Sequence, residues 1–154
     1  MQNWKRPPMN AKGFTLTELL VTMVIATILI AVVLPTYQTQ VRKSRRTEAK
    51  SALMDIAGRE ERLYTTTNTY SSTPSDIGYA AVGVAYPMTV GSGYYQVTVT
   101  ITAGPPATFT VTATPIAGLG QDKDTLCASF TVLQTGQQSA LNSGGADNTT
   151  TCWR

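Results

Sequence analysis

Few residues in this chain have both the type and the spacing for chemistry. Histidine is absent from its 154 residues, which removes the common nucleophile–base triads and most zinc sites. Asp122 and Asp124 stand two apart and could offer hard oxygens to calcium, but no fuller acidic loop surrounds them. A solvated turn is the expected outcome there. Glu60 and Glu61 are adjacent, and neighbours on a helix do not share a face, so they are not expected to form an acid–base pair. Cys127 and Cys152 are the only cysteines. A bridge between them would close a loop of about 25 residues and contribute about 3.5 kcal/mol in the chain-entropy account. The alternative, two free thiols or a metal site, has no histidine and no third cysteine to draw on. Asn148-Thr149-Thr150 fits a glycosylation sequon, a pattern frequent by chance. Catalytic residues, cofactors and metals are therefore not expected.

The carboxylate with the most telling position is Glu18. It is the only formal charge between Phe14 and Val41, one residue in 28, and it opens an uncharged run from Leu19 to Leu34. A carboxylate at the mouth of a hydrophobic segment is costly in lipid and reads as functional. The run makes a helix of roughly 24 Å, and its flanks extend it to bilayer thickness. A cleaved secretory signal usually has an apolar core of about 7–15 residues and a small-x-small site. Val32-Val33-Leu34-Pro35-Thr36-Tyr37 is a poor site of that kind, which favours an anchor. Charge does not orient it: Lys5, Arg6 and Lys12 before the run nearly balance Arg42, Lys43, Arg45 and Arg46 after it. The lone cysteine pair points, weakly, to an oxidising compartment.

The elements that position these residues follow from periodicity. Val41, Ala49, Ala52, Leu53, Ile56, Ala57, Leu63 and Tyr64 recur at three- and four-residue steps, so the apolar helix is expected to continue as an amphipathic one to about Tyr64. Asp55 and Arg59 stand at i,i+4 in the favourable order. Gly58 costs about 1 kcal/mol against alanine without ending the helix. Thr65 to Pro74 reads as a loop. Tyr94 to Thr102 alternates cleanly and Thr108 to Thr114 alternates again across Gly104-Pro105-Pro106, which predicts a hairpin with one apolar face. Leu126 to Leu133, with Cys127 inside it, is a third expected strand. The architecture is α+β: a long N-terminal helix whose amphipathic half packs against a small antiparallel sheet.

Lys12-Gly13-Phe14-Thr15-Leu16-Thr17-Glu18-Leu19-Leu20 resembles the class III signal of type IV pilins and related pseudopilins. The resemblance implies that a prepilin peptidase cuts after Gly13 and methylates the new N-terminus of Phe14. Glu18 becomes the fifth mature residue, and Pro35 matches the proline most relatives carry near the end of the apolar segment. Thr27 stands where many relatives have glycine. The resemblance also gives Glu18 a partner, the α-amine of Phe14 on an adjacent subunit; its alternative role is to complement the helix dipole. The stem Arg46 to Leu53 and the tail Thr151-Cys152-Trp153-Arg154 look most like PilE-type minor pilins of type IVa pili. The implied divisions are a leader, 1–13; a transmembrane and assembly helix, 14–41; an amphipathic helix, 42–64; and a β-domain with a C-terminal disulfide loop, 65–154.

Charge is unevenly spread. The leader carries +3, residues 42–64 carry +3, residues 65–154 carry −2 and Glu18 carries −1, so the chain from Phe14 onward is neutral. Phosphate binding needs clustered cations, and the domain after Tyr64 lacks them, so nucleic acid is an unfavoured partner. The expected function is that of a minor pilin subunit supporting pilus biogenesis, twitching motility, adhesion or competence. A DNA-binding minor pilin and a type II secretion pseudopilin are the alternatives. Expected partners are other pilins, the prepilin peptidase and the inner-membrane assembly platform. The expected location is the inner membrane as a single-pass precursor, then the extracellular pilus of a Gram-negative bacterium.

Overall fold

The computed structural model describes residues 13–154; the leader cations Lys5, Arg6 and Lys12 lie outside them. The chain divides into two compact units, one ending at Thr39 and the other spanning Gln40–Arg154. Helix α1 (Leu16–Thr67) contributes to both. Its start is capped by Thr15, whose hydroxyl accepts the Glu18 amide proton at 3.2 Å, relieving one of the unpaired donors of a helix N-terminus. In the first unit α1 is apolar on every side: each large hydrophobic from Leu19 to Leu34 is more than half exposed. The helix is long and apolar enough to cross a membrane. Pro35 lies within α1 rather than ending it, at the cost of one ladder hydrogen bond.

In the second unit α1 turns amphipathic, and its buried stripe is Ala49, Ala52, Leu53, Ile56, Ala57 and Glu60. The stripe covers one face of a five-stranded antiparallel meander: β1 (Met88–Val90), β2 (Tyr95–Thr102), β3 (Thr108–Pro115), β4 (Ser129–Leu133) and β5 (Gln138–Leu141), in that spatial order. The β2–β3 hairpin pairs from Tyr95 with Pro115 to Thr102 with Thr108. Alternation sends Tyr95, Val97, Val99, Phe109, Val111 and Ala113 into the core with Phe130 and Val132 of β4, and leaves the threonines on the other face. The α+β class and the hairpin are as the periodicity predicts. Leu126 to Leu133 is a strand only from Ser129, and Cys127 lies before it. The Ala128 amide bonds instead to the Leu141 carbonyl at 2.8 Å. Strands β1 and β5, three and four residues long, carry too little alternation to be read beforehand.

Cys127 and Cys152 are joined, with an S–S distance of 2.05 Å, and this ties the segment before β4 to the short helix α2 (Thr149–Cys152). Both sulfurs are buried in the core. Cys127→Ala/Cys152→Ala is expected to lower unfolding free energy by about 3.5 kcal/mol, the loop-entropy figure for this separation. The measurement is the urea midpoint of oxidised wild type against the variant.

The last turns of α1 hold the connection to β1. Glu61 Oε1 accepts from the Tyr70 hydroxyl at 3.1 Å, and Tyr70 stacks on Tyr64 and meets Phe109 edge-on. Arg59 donates to the Gly78 carbonyl at 2.7 Å and pairs with Asp55 at 3.0 Å. Glu60 is fully buried and accepts the Ser71 amide proton at 3.0 Å. Burial pushes its carboxyl above the ordinary range; the Ser71 bond opposes this, and the Asp76 and Glu61 charges add to it. The buried Tyr86 hydroxyl, also raised, is a further neighbour on the loop side. A carboxyl raised on folding binds more protons folded than unfolded, so its contribution is full below the ordinary glutamate range and is lost as pH rises through the raised value. Glu60→Gln keeps an acceptor for Ser71 and removes the titration. Its stability should gain on wild type as pH rises from the ordinary glutamate range through the raised value, read from urea midpoints at a series of pH values; curves parallel throughout would contradict the assignment.

Candidate nucleic-acid interface

The residues expected to matter are widely dispersed. Gly13 and Phe14 are exposed ahead of α1, and Glu18 sits in its first turn. Pro35 follows the apolar run, and the cysteines lie in the second unit. Asp122 lies within a short 3-10 turn, Gln121–Lys123, and Asp124 follows it, but their carboxylates serve different partners. Asp124 takes both Nε and Nη2 of Arg46 at 2.6 Å and a proton of the Gln121 amide at 3.2 Å; that amide also reaches the Tyr95 hydroxyl. Asp122 accepts the Gly118 amide proton, which chiefly holds its carboxyl below the usual range. No group of three or more metal-ligating side chains occurs among the described residues.

The stem of α1 within the second unit has two differently charged faces. One carries Ser44, Thr47, Glu48, Ser51 and Asp55 and lines an open groove of about 680 Å³ with Tyr79 and Gly91. Glu48 is fixed there by the Ser92 amide at 2.8 Å, the main reason its carboxyl lies below the usual range. Gly91 has φ +57°, and a Cβ on it would stand 2.7 Å from Glu48 Oε2. Only glycine fits this close approach.

The other face is cationic. Lys43, Arg46 and Lys50 recur at i, i+3 and i+7 and therefore form one stripe. They meet Thr151, Cys152 and Arg154 of the C-terminal segment around a cleft of about 280 Å³, with Thr47 at its edge. Lys50 donates to the Cys152 carbonyl at 3.1 Å and lies 5.9 Å from the centre of the Trp153 ring. Burial, and then the charge of Arg46, draw Lys50 below its ordinary range. The Trp153 indole donates to the Ser139 carbonyl at 2.9 Å and packs edge-on to Phe130. Nearby on the stem, the Arg45 guanidinium stacks 3.3 Å over Tyr94. The stem and the tail, counted separately in the sequence, thus form one cationic surface. Its readable signals are the three-and-four spacing of Lys43, Arg46 and Lys50 and the cysteine that tethers the tail.

The family model described as type IV minor pilin ComP, DNA uptake sequence receptor, matches residues 35–131. The chain belongs to that family. A second model, the prokaryotic N-terminal methylation motif, matches residues 8–34. No curated protein matches the chain. The expected type IV pilin resemblance therefore holds, and with it the minor pilin reading. Pilins are structural subunits, and the methylation motif ahead of an apolar helix fits a membrane-anchored precursor that assembles with other pilins into a pilus. The family's description as a DNA receptor runs against the low weight that segment charges give to nucleic acid. That count set the +3 stem apart from the −2 domain, whereas the folded unit joins Lys43 and Lys50 to Arg154.

Proposed function

We propose that this minor pilin receives DNA at the filament and is not an enzyme. The observation that carries the reading is the family match over residues 35–131, supported by the cationic surface where the stem meets the tail. In this reading the prepilin peptidase of a Gram-negative inner membrane cuts after Gly13 and methylates Phe14. The assembly platform then draws the segment 14–41 out of the bilayer into a filament, and Glu18 neutralises the Phe14 amine of a neighbouring subunit. The divisions at 13, 41 and 64 mark leader, assembly helix, stem and receptor domain. The disulfide-bounded segment from Cys127 to Cys152 belongs to that domain and fixes its tail.

Neutralising backbone phosphates releases counterions, so receptor binding should weaken linearly on a log–log plot against salt. The test is fluorescence anisotropy of labelled duplex DNA titrated with the mature chain in neutral detergent from 20 to 200 mM salt. A salt-sensitive isotherm is expected. Absence of binding at 20 mM salt would overturn the receptor reading while leaving the pilin assignment intact.

A further inference from the structure

The cleft between the stem and the C-terminal segment concentrates charge in a way that solvated surface lysines do not. Four cationic side chains, Lys43, Arg46, Lys50 and Arg154, line about 280 Å³. The carboxylate side chain beside them, Asp124, is only 3 % exposed and engaged by the Arg46 fork. Arg46 is therefore neutralised in place and forms a wall. Lys43, Lys50 and Arg154 have no side-chain carboxylate in the cleft to share. Gathering like charges is unfavourable unless an anion joins them.

The hydroxyls divide similarly. Thr47 donates its proton to the Lys43 carbonyl at 3.2 Å, which leaves Thr151 as the hydroxyl donor. The tail that presents Thr151 and Arg154 is held firmly by the bond from Cys152 to Cys127, by the Trp153 indole on Ser139 and by the Thr149 hydroxyl, which accepts from the Ala140 amide at 2.9 Å. Donors fixed before a ligand arrives lose little freedom on binding it.

We propose that this cleft is a phosphate-binding site, in which Lys43, Lys50, Arg154 and the Thr151 hydroxyl hold one phosphodiester of a DNA backbone. The identity of the macromolecule rests on the receptor reading; the anion chemistry does not. Cations and hydroxyls of this kind contact phosphate rather than base edges, so the site positions DNA and carries affinity without reading sequence.

The chain starting at Phe14 has Trp153 as its single tryptophan, since Trp4 lies in the leader, and this gives a probe beside the cleft. The mature chain in neutral detergent is titrated first with inorganic pyrophosphate, following Trp153 fluorescence, and then with duplex DNA at several salt concentrations. Wild type is compared with Lys43→Gln/Arg154→Gln, two exposed positions, and with Arg62→Gln elsewhere on α1. The double variant is expected to lose the saturable pyrophosphate response. Its DNA affinity should fall on the order of tenfold for every sequence tried, with a salt slope smaller by about 1. Arg62→Gln should behave as wild type. Wild-type pyrophosphate and DNA binding by the double variant would overturn the site and leave the receptor reading standing. A variant-sensitive pyrophosphate response with no DNA binding by wild type would uphold the site and remove the receptor reading. No pyrophosphate response in wild type, or a double variant that binds normally but is missing from filaments, would assign these charges to pilin–pilin contact and overturn the proposal.

Discussion

Glu18→Ala is expected to yield a chain that is processed normally and is then missing from the filament. The cleavage motif around Gly13 and Phe14 is untouched by the substitution, and the remaining segment is still apolar enough to anchor the precursor. What is lost is the single charge in the segment Phe14 to Val41. In a bundle of such helices the Phe14 amine, methylated or not, is a cation in a medium that solvates charge poorly. Removing one partner of a buried pair typically costs about 3–5 kcal/mol, more than a hundredfold in an equilibrium. If Glu18 served only the dipole of its own helix, the loss would be about 0.3–1 kcal/mol, too little to exclude a subunit. The two roles therefore separate cleanly. Immunoblots of membrane and sheared-filament fractions decide between them, and wild-type recovery of the variant in filaments contradicts the pairing. Glu18→Gln should fail as the alanine does, because the missing element is charge and not volume.

The second large effect is expected at Asp124. Its carboxylate and the Arg46 guanidinium are 3 % and 13 % exposed and joined by two 2.6 Å bonds. Asp124→Ala would leave a largely buried cation without its anion and take an acceptor from Gln121. The expected loss is about 3–5 kcal/mol of unfolding free energy. Asp55→Ala provides the contrast. Its partner Arg59 is 3.0 Å away, but the pair is 51 % and 33 % exposed, and such pairs contribute about 0–1 kcal/mol. Urea denaturation of both variants should differ accordingly. Replacing Arg46 and Asp124 together by Met and Leu should recover most of the loss, since an apolar pair of similar volume removes the buried charge altogether. An Asp124→Ala cost no greater than that of Asp55→Ala would show that Arg46 finds water on its own.

Features written in neighbouring residues were readable before the fold was known. The leader motif, the uncharged run, the amphipathic stripe from Ala49 to Ala57 and the alternation of β2 and β3 each carry a local period or a fixed offset. Most of the features that were not readable depend on contacts between distant segments. Arg46 and Asp124 are 78 residues apart, and nothing in Asp122-x-Asp124 marks one carboxylate for an arginine and the other for a backbone amide. Glu60 has the sequence signature of a solvated acid, yet it is buried because the loop at Ser71 folds over it. Helix α1 runs on to Thr67 because the hydroxyls of Thr65, Thr66 and Thr67 bond back to the carbonyls of Arg62 and Leu63. A threonine-rich stretch of that kind reads as loop from composition. The cationic cleft was hidden for the same reason as the ion pair: Lys50 and the Cys152 carbonyl meet across 102 residues.

In the proposed function, a membrane-anchored precursor becomes a filament subunit at the join of Gly13 and Phe14. Mass spectrometry of this chain recovered from sheared pili tests that join directly. The predicted result is a polypeptide beginning at an N-methylated Phe14. A chain in functional filaments that still carries its leader, or that begins near Tyr37, would contradict the account.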